Sequence, residues 1–135
     1  MIPYRKIYKC EMVDKVMPTI SHMKEKVYTH VPVMNGKKVW GVFSESAIFD
    51  IVGDGNTSLI NDNTTLLQIG KYITEYSSKG VFDFAGVNDS MDDIRRMFGE
   101  AVEENRRLDV IYITSTGNKN GDLVGLVTIW DLPAF

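Results

Sequence analysis

The stretch Gly125-Leu126-Val127-Thr128-Ile129-Trp130-Asp131, close to the C-terminus, decides how the rest of the chain is interpreted. A glycine leads an apolar run, and Thr128 and Asp131 follow where the run ends, which is typical of a buried strand passing into a helix. A threonine at such a boundary caps free backbone N–H groups, and the same groups can bind an anion. In a single copy of the pattern, a helix cap alone explains both polar residues.

A second copy of the pattern, Gly41-Val42-Phe43-Ser44-Glu45-Ser46-Ala47, occurs earlier in the chain. The offsets agree, because 125 − 41, 128 − 44 and 131 − 47 all equal 84. A polar or basic pair joined to a short apolar strand precedes each copy, in residues 28–33 and in residues 105–110. An internal repeat determines the architecture, so the sequence predicts two related units.

The order of these segments resembles that of a CBS domain. A basic-apolar strand (Thr29–Val33) leads to an Asn35-Gly36 turn and then to Gly-x-x-Ser/Thr-x-x-Asp. Two such units in tandem resemble a CBS pair, also called a Bateman module, over nearly the whole chain. The resemblance implies an α+β fold of two βαββα-like units, related by a pseudo-twofold axis and packed through their small sheets. We place the units at residues 1–62 and 63–135, the second with a leading linker helix.

CBS units normally continue with a helix after the final aspartate of the motif. Leu132-Pro133-Ala134-Phe135 is too short to form that helix. We therefore expect either that the protein ends here naturally or that the sequence is a fragment of something longer.

Apolar periodicity predicts the helices of both units. One helix is expected over Cys10–Lys26, where Pro18 either kinks it or starts a second helix. Another is expected from Thr64 or Thr65 to Tyr76, and a third has an apolar face of Met91, Ile94, Met97, Phe98, Ala101 and Val102. The hairpin turn of the second unit, Ser115–Asp122, is predicted to be longer than that of the first.

Composition limits the classes of function. The chain has 135 residues, 44% apolar and 24% charged, which suits a globular domain with one core or two small half-cores. The net charge of −3, with both signs mixed, argues against nucleic acid as the main partner, and no apolar run is long enough to span a bilayer. A single cysteine, Cys10, excludes an internal disulfide. We expect a cytoplasmic protein.

The sequence lacks the residues that a catalytic site needs. His22 and His30 are its only histidines and Cys10 is its only thiol, and their spacing suggests neither a nucleophile–base pair nor a metal site. His22, on a methionine-rich segment, is interpreted as a packed or surface histidine. We therefore expect no enzymatic activity, no metal and no permanently bound cofactor.

The CBS resemblance implies adenosine-binding clefts instead. Carried over residue by residue, Thr128 faces phosphate and Asp131 binds the ribose hydroxyls. Arg106 and Arg107 match a basic pair that reaches phosphates in some CBS pairs, a task that suits guanidinium geometry. The alternative is that these arginines only cover a helix end, where cations favour the helix dipole. The base side of the same cleft is expected to include Tyr28, Thr29 and Tyr4.

The first copy of the motif departs from the family pattern. Ala47 stands where the ribose-binding aspartate belongs, so the resemblance implies a weaker second cleft. Ser44 remains there, although a lone serine is better explained as a helix cap than as a phosphate ligand. His30, matched to Arg107, would add a pH-dependent charge to this cleft, and a packed histidine is the alternative.

The leading hypothesis is a regulatory module that binds AMP, ADP, ATP or S-adenosylmethionine and shifts the conformation of an attached or associated effector. The alternative is a ligand-free module that dimerises or docks on a partner protein. CBS pairs usually form homodimers, and the apolar pairs Ile48-Phe49 and Met97-Phe98 are predicted contacts.

Overall fold

The structure is a computed structural model that describes residues 1–73 and 81–129. Within these residues the elements follow in the order β1 (Ile2–Pro3), β2 (Cys10–Glu11), α1 (Val16–Lys26), β3 (His30–Asn35), β4 (Lys38–Ser44), α2 (Glu45–Gly53), β5 (Phe82–Gly86), α3 (Met91–Glu103), β6 (Val110–Thr114) and β7 (Leu123–Thr128). Short 3-10 turns occur at Tyr4–Lys6, Thr57–Leu59 and Leu67–Ile69. No helix in the described part of the chain is long and apolar enough to cross a lipid bilayer.

The chain divides into two compact units. The first unit is Tyr8–Ser78, and the second unit joins Met1–Ile7 to Lys79–Phe135. The predicted boundary between residues 62 and 63 falls inside the first unit. The reason is that the segment after this boundary packs in the core of the first unit. Its apolar side chains Leu66, Ile69, Tyr72 and Ile73 are buried there.

The first unit contains a three-stranded sheet in the order β2-β3-β4. β2 lies parallel to β3, with α1 as the connection between them, and β3 and β4 form an antiparallel hairpin. One face of this sheet packs on the helices. The buried core there consists of Cys10, Val16, Met23, Val31, Val33, Phe43, Ala47, Ile51, Leu66, Ile69, Tyr72 and Ile73.

The second unit repeats this arrangement and adds one strand. Its sheet has the order β1-β7-β6-β5, in which β5 is parallel to β6, α3 connects them, and β6 and β7 form a hairpin. The N-terminal strand β1 pairs antiparallel with β7. The core between α3 and the sheet consists of Ala85, Ile94, Phe98, Ala101, Leu108, Ile111, Ile113 and Val127. The α+β fold and the predicted repeat of two related units are confirmed.

Strand register shows how closely the two hairpins match. Val33 pairs with Gly41 and Ile113 pairs with Gly125, and a register irregularity follows directly after Val33 and after Ile113. At the other end of each hairpin His30 pairs with Ser44, and Val110 pairs with Thr128. The segments Gly41–Ser44 and Gly125–Thr128 are therefore equivalent in structure as well as in sequence order.

The helix predicted over Cys10–Lys26 is shorter than expected. Its first residues instead form β2, because Cys10 and Glu11 pair with β3, and α1 begins only at Val16. Pro18 lies in the first turn of α1, where its missing N–H breaks no intrahelical hydrogen bond. Of the two alternatives for Pro18, the start of a helix is therefore the one observed.

Helix α3 begins with a complete capping box. Ser90 Oγ accepts a hydrogen bond from Asp93 N at 3.1 Å, and Asp93 Oδ2 accepts one from Ser90 N at 2.9 Å. Three residues of the predicted apolar face are buried, Ile94, Phe98 and Ala101. The ends of that face, Met91 and Val102, are exposed.

Candidate functional site

Thr128 is the last residue of β7 and lies at the edge of the second sheet where β6 begins. Its side chain is half-buried, and the next residue, Ile129, is exposed. Asp131, the predicted ribose ligand, lies outside the described residues. The structure therefore positions the hydroxyl of the motif, and the contact of Asp131 with a sugar stays a prediction.

Arg106 follows the C-terminus of α3. Asn105 adopts the left-handed conformation (φ 56°), and Arg106 N donates a hydrogen bond to Ala101 O at 2.8 Å, which ends the helix. The guanidinium group contacts two carboxylates: Nη2 lies 3.9 Å from Asp83 Oδ2, and Nε lies 3.7 Å from Glu104 Oε2. With 32% of its side chain exposed, Arg106 is half-buried among acidic groups.

Arg107 is held in a shorter ion pair. Its Nε lies 2.8 Å from Asp109 Oδ2, and Asp109 is the more buried of the two partners. The backbone of this segment is fixed as well, because Asp109 N donates a hydrogen bond to Val81 O at 2.9 Å, just before β5. Both arginines thus lie in the connection that leads to β6, and each has a carboxylate beside it.

Sequence reasoning missed these carboxylates. Asp83 lies in an aromatic strand far from Arg106 in sequence, and only the parallel pairing of β5 with β6 brings them together. In the sequence, the acidic residues Glu104 and Asp109 flank the basic pair Arg106-Arg107, and this pattern could have indicated the ion pairs.

Tyr4 lies in the 3-10 turn that follows β1 and is half-buried. β1 pairs Ile2 with Leu126 and Pro3 with Gly125, so the chain runs away from Thr128 as it approaches Tyr4. Continued by one residue, this pairing puts Tyr4 level with Val124, four residues before Thr128 on β7. Four strand residues span about 13 Å along the sheet. The structure does not bring these two predicted site residues together.

Tyr28 and Thr29 belong to the first unit. Tyr28 is exposed and joins an aromatic cluster: its ring centroid lies 5.8 Å from that of Tyr8, which stacks on His22 at 4.0 Å. Thr29 Oγ1 lies 2.8 Å from His30 Nδ1. His22 is thus packed against rings, one of the two alternatives considered. The prediction that Tyr28 and Thr29 share a site with Thr128 joins residues of different units and stays a prediction.

Ser44, predicted for the weaker cleft, is engaged as a helix cap. It is 2% exposed, and its Oγ accepts a hydrogen bond from Ala47 N at 3.3 Å at the start of α2. His30 lies opposite Ser44, as Val110 lies opposite Thr128. Strand register therefore matches His30 to Val110, and the predicted match to Arg107 is wrong, because the connection from helix to strand is three residues longer in the second unit.

Cys10 provides no reactive thiol. It is buried, its Sγ donates a hydrogen bond to Tyr8 Oη at 3.3 Å, and it lies 3.7 Å from Thr19 Oγ1. Burial raises the pKa of this thiol, which keeps it protonated and weakly nucleophilic at neutral pH. Within residues 1–73 and 81–129, no three histidine, cysteine or acidic side chains are grouped so as to hold a metal ion.

Comparison with known proteins gives matches by structure alone. No family model and no curated protein matches the sequence. CbpB in complex with c-di-AMP is matched with a TM-score of 0.67 at 14% identity, over 97% of this chain and 77% of that chain. CBSX2 in complex with AMP is matched with a TM-score of 0.66 at 14% identity, over 97% and 87%. A CBS-domain containing protein from Agrobacterium tumefaciens is matched with a TM-score of 0.64 at 12% identity, over 93% and 85%. At these identities the likeness concerns the fold.

Proposed function

Because the chain has the fold of a tandem CBS-domain pair, we propose that it is a regulatory module that binds an adenosine-containing nucleotide. Bound ligand would shift the conformation of an attached or associated effector protein. The proposal places the module in the cytoplasm and assigns it no catalytic activity. The fold supports this proposal, since two similar structures, CBSX2 and CbpB, are complexes with AMP and with c-di-AMP. The geometry at Thr128 is the second line of support.

The observation that carries the proposal is the difference in burial between two equivalent motif residues. Ser44 is 2% exposed, whereas Thr128 at the equivalent register position is half-buried at the edge of its sheet. The motif with Thr128 also keeps its aspartate, Asp131, while the other has Ala47. We therefore assign one competent site to the chain and expect the Ser44 motif to bind weakly or not at all.

In this proposal Thr128 hydrogen-bonds a phosphate or the 5′ end of the ligand, and Asp131 accepts hydrogen bonds from the ribose hydroxyls. Arg106 and Arg107 are proposed for the phosphate side, where their N–H groups can donate hydrogen bonds to the ligand. Tyr28 and Thr29 are proposed for the base side. Tyr4 has the weakest support, because the register of β1 carries it away from Thr128.

Regulation follows from differential affinity. A ligand can shift a conformational equilibrium only by the ratio of its affinities for the two states. A module that binds adenosine ligands in one conformation therefore reports their concentration to its effector without doing chemistry. The chemistry of the effector is left open.

The test is a thermal-shift panel of AMP, ADP, ATP, c-di-AMP, S-adenosylmethionine and GTP. A ligand that binds only the folded state adds about 2.7 kcal/mol of stability at a hundredfold excess over its Kd, so binding must raise Tm. We expect a rise with adenosine ligands and none with GTP. No shift with any of them at millimolar concentration contradicts the proposal.

Two variants identify the site. Asp131→Ala should abolish the shift while leaving the unliganded Tm close to that of the wild type. The matched control is Asp92→Ala, which removes a carboxylate that is 84% exposed at the start of α3. An equal loss in both variants would mean that net charge, and not the motif, governs the shift.

The alternative, a ligand-free dimerisation or docking module, is favoured by one surface. Phe49 is 73% exposed on α2 and Val52, one turn later, is also exposed. Phe98, proposed from the sequence as a second contact, is 2% exposed in the core and is not available. Light scattering of Phe49→Ser beside the wild type tests this alternative, since a dimer formed through α2 should dissociate.

A further inference from the structure

The arginines proposed to face phosphate each lie beside neighbouring carboxylates. Arg107 pairs with Asp109 at 2.8 Å, and Arg106 lies 3.9 Å from Asp83 and 3.7 Å from Glu104. Within the described residues, three carboxylates thus lie beside two guanidinium groups, which gives a local charge of −1 (2 − 3). Such a region attracts phosphate less strongly than two arginines without neighbouring carboxylates would.

These charges lie at the Thr128 edge of the second sheet. Residues 104–109 connect α3 to β6, whose first residue, Val110, pairs with Thr128. Asp83 lies one row further in on β5, level with Ile111 of β6. Strands are spaced about 4.8 Å apart, so β5 and β7 are about 10 Å apart across β6, which is comparable to the length of a nucleotide.

The carboxylates beside the two arginines would repel the phosphate chain of a bound nucleotide. Each phosphate added to AMP brings further negative charge toward Asp83, Glu104 and Asp109. Because Arg107 Nε is held by Asp109 at 2.8 Å, a phosphate that binds the remaining N–H groups of this guanidinium lies close to the Asp109 carboxylate. Repulsion between like charges at such an edge is modest for each pair, and it accumulates with the charge of the ligand.

We propose that Asp83, Glu104 and Asp109 make this site selective for an adenosine ligand with at most one phosphate, so that AMP binds better than ADP and ADP better than ATP. This inference rests on the proposed function and deepens it. The three carboxylates act as specificity determinants by occupying the arginines and repelling a longer phosphate chain. Adenosyl ligands without phosphate, such as S-adenosylmethionine, are accepted for the same reason.

The experiment is a calorimetric titration of the full chain with adenosine, AMP, ADP and ATP in EDTA at a fixed moderate ionic strength. EDTA prevents Mg²⁺ from masking the phosphate charge. We expect the Kd of ATP to exceed that of AMP by about tenfold, the sum of several modest repulsions. The difference should shrink at high salt, because screening weakens interactions between exposed charges.

Isosteric variants test the carboxylates directly. Asp109→Asn and Asp83→Asn should each lower the Kd of ATP about threefold while changing that of adenosine little. Asparagine at position 83 can still accept the 2.8 Å hydrogen bond from Phe84 N, so the fold should survive. The control is Asp92→Asn at the opposite end of α3, where neither Kd should change.

The outcomes separate the two proposals. ATP binding as tightly as AMP, or no gain in ATP affinity in either variant, overturns the selectivity while leaving the nucleotide-binding function intact. Absence of binding by every ligand overturns the function itself, and the selectivity with it.

Discussion

Gly41 lies so close to Ile73 that a Cβ atom on residue 41 would overlap Ile73 Cγ2. Ile73 is fully buried, so it has no free space into which to move. Gly125, the equivalent glycine, lies against another segment: an added Cβ would be 2.7 Å from Met1 Sδ and 2.8 Å from Ile2 O. The glycine that begins each copy of the motif therefore allows a second segment to cover the hairpin.

Gly41→Ala should lower the free energy of unfolding by about 1–3 kcal/mol, the usual cost of adding a methyl group to a filled core. Urea denaturation measures this loss. Ile73→Ala removes the opposing methyl group, so the double variant should lose less than the sum of the two single variants. Strict additivity would show that the two side chains do not conflict.

Gly99→Ala is the matched control, and it should have the opposite sign. Gly99 lies within α3, where an added Cβ meets no atom within 4 Å. Glycine in a helix interior is less favourable than alanine by about 0.5–1 kcal/mol, so the variant should be more stable by that amount. A loss of stability in Gly99→Ala would mean that this face of α3 is covered by another molecule.

Tyr112→Phe should stabilise the protein. Tyr112 is fully buried on β6 between Phe82 and Phe84, and its hydroxyl has no hydrogen-bond partner among the described residues. An unsatisfied buried polar group costs about 1–3 kcal/mol, so its removal should raise the unfolding free energy by about 1 kcal/mol. Chemical denaturation at pH 7 tests the sign.

Alkaline pH should enlarge this gain. Burial raises the pKa of Tyr112 above its ordinary value near 10, so the wild type keeps its full stability below pH 10 and loses it as pH rises further. Phenylalanine does not titrate, so the stability gap should widen above pH 10. The control, Tyr72→Phe, should destabilise, because the Tyr72 hydroxyl accepts from Asn56 Nδ2 at 2.7 Å and donates to Asp54 Oδ2 at 3.0 Å.

The repeat was predictable from sequence only at its C-terminal end, because length differences accumulate along the unit. By strand pairing, Cys10 corresponds to Ala85 (85 − 10 = 75), Val33 to Ile113 (113 − 33 = 80), and Gly41 to Gly125 (125 − 41 = 84). The longer α3, the longer connection after it and the longer hairpin turn each add residues. The match of His30 to Arg107 (107 − 30 = 77) follows the polar pair before each strand, and the longer connection after α3 puts it three residues out of register with the strand pairing (80 − 77 = 3).

The position of the motif residues in the fold was predictable from the sequence, and the charged groups around them were not. Thr128 and Ser44 follow from local pattern, since a hydroxyl at a strand–helix boundary is recognisable in the sequence. The contact of Arg106 with Asp83 depends on the parallel pairing of β5 with β6, which no local pattern specifies. The boundary between units was misplaced for a similar reason, since Ile2 and Pro3 pair with β7 at the far end of the chain.

The capping box of α3 should make stability depend on acid pH. Hydrogen bonds from the backbone and hydroxyl of Ser90 hold the pKa of Asp93 below its ordinary value, and Arg96, 3.0 Å away, acts in the same direction. A lowered folded pKa means that the contribution is present above about pH 4, the ordinary value, and is lost as pH falls through the folded value. Ser90→Ala should cost about 1 kcal/mol at pH 7 through loss of the cap.

Asp93→Asn isolates the acid-dependent part. It should be less stable than the wild type at pH 7, and the difference should shrink as pH falls below 4, because the wild-type carboxyl then becomes neutral as well. Thermal unfolding monitored by circular dichroism from pH 2.5 to 7 measures the difference. Asp92→Asn is the control, since Asp92 forms a surface ion pair with Arg95 at 2.7 Å that should contribute little. A constant difference between Asp93→Asn and the wild type across this range would show that the carboxylate charge does not stabilise α3.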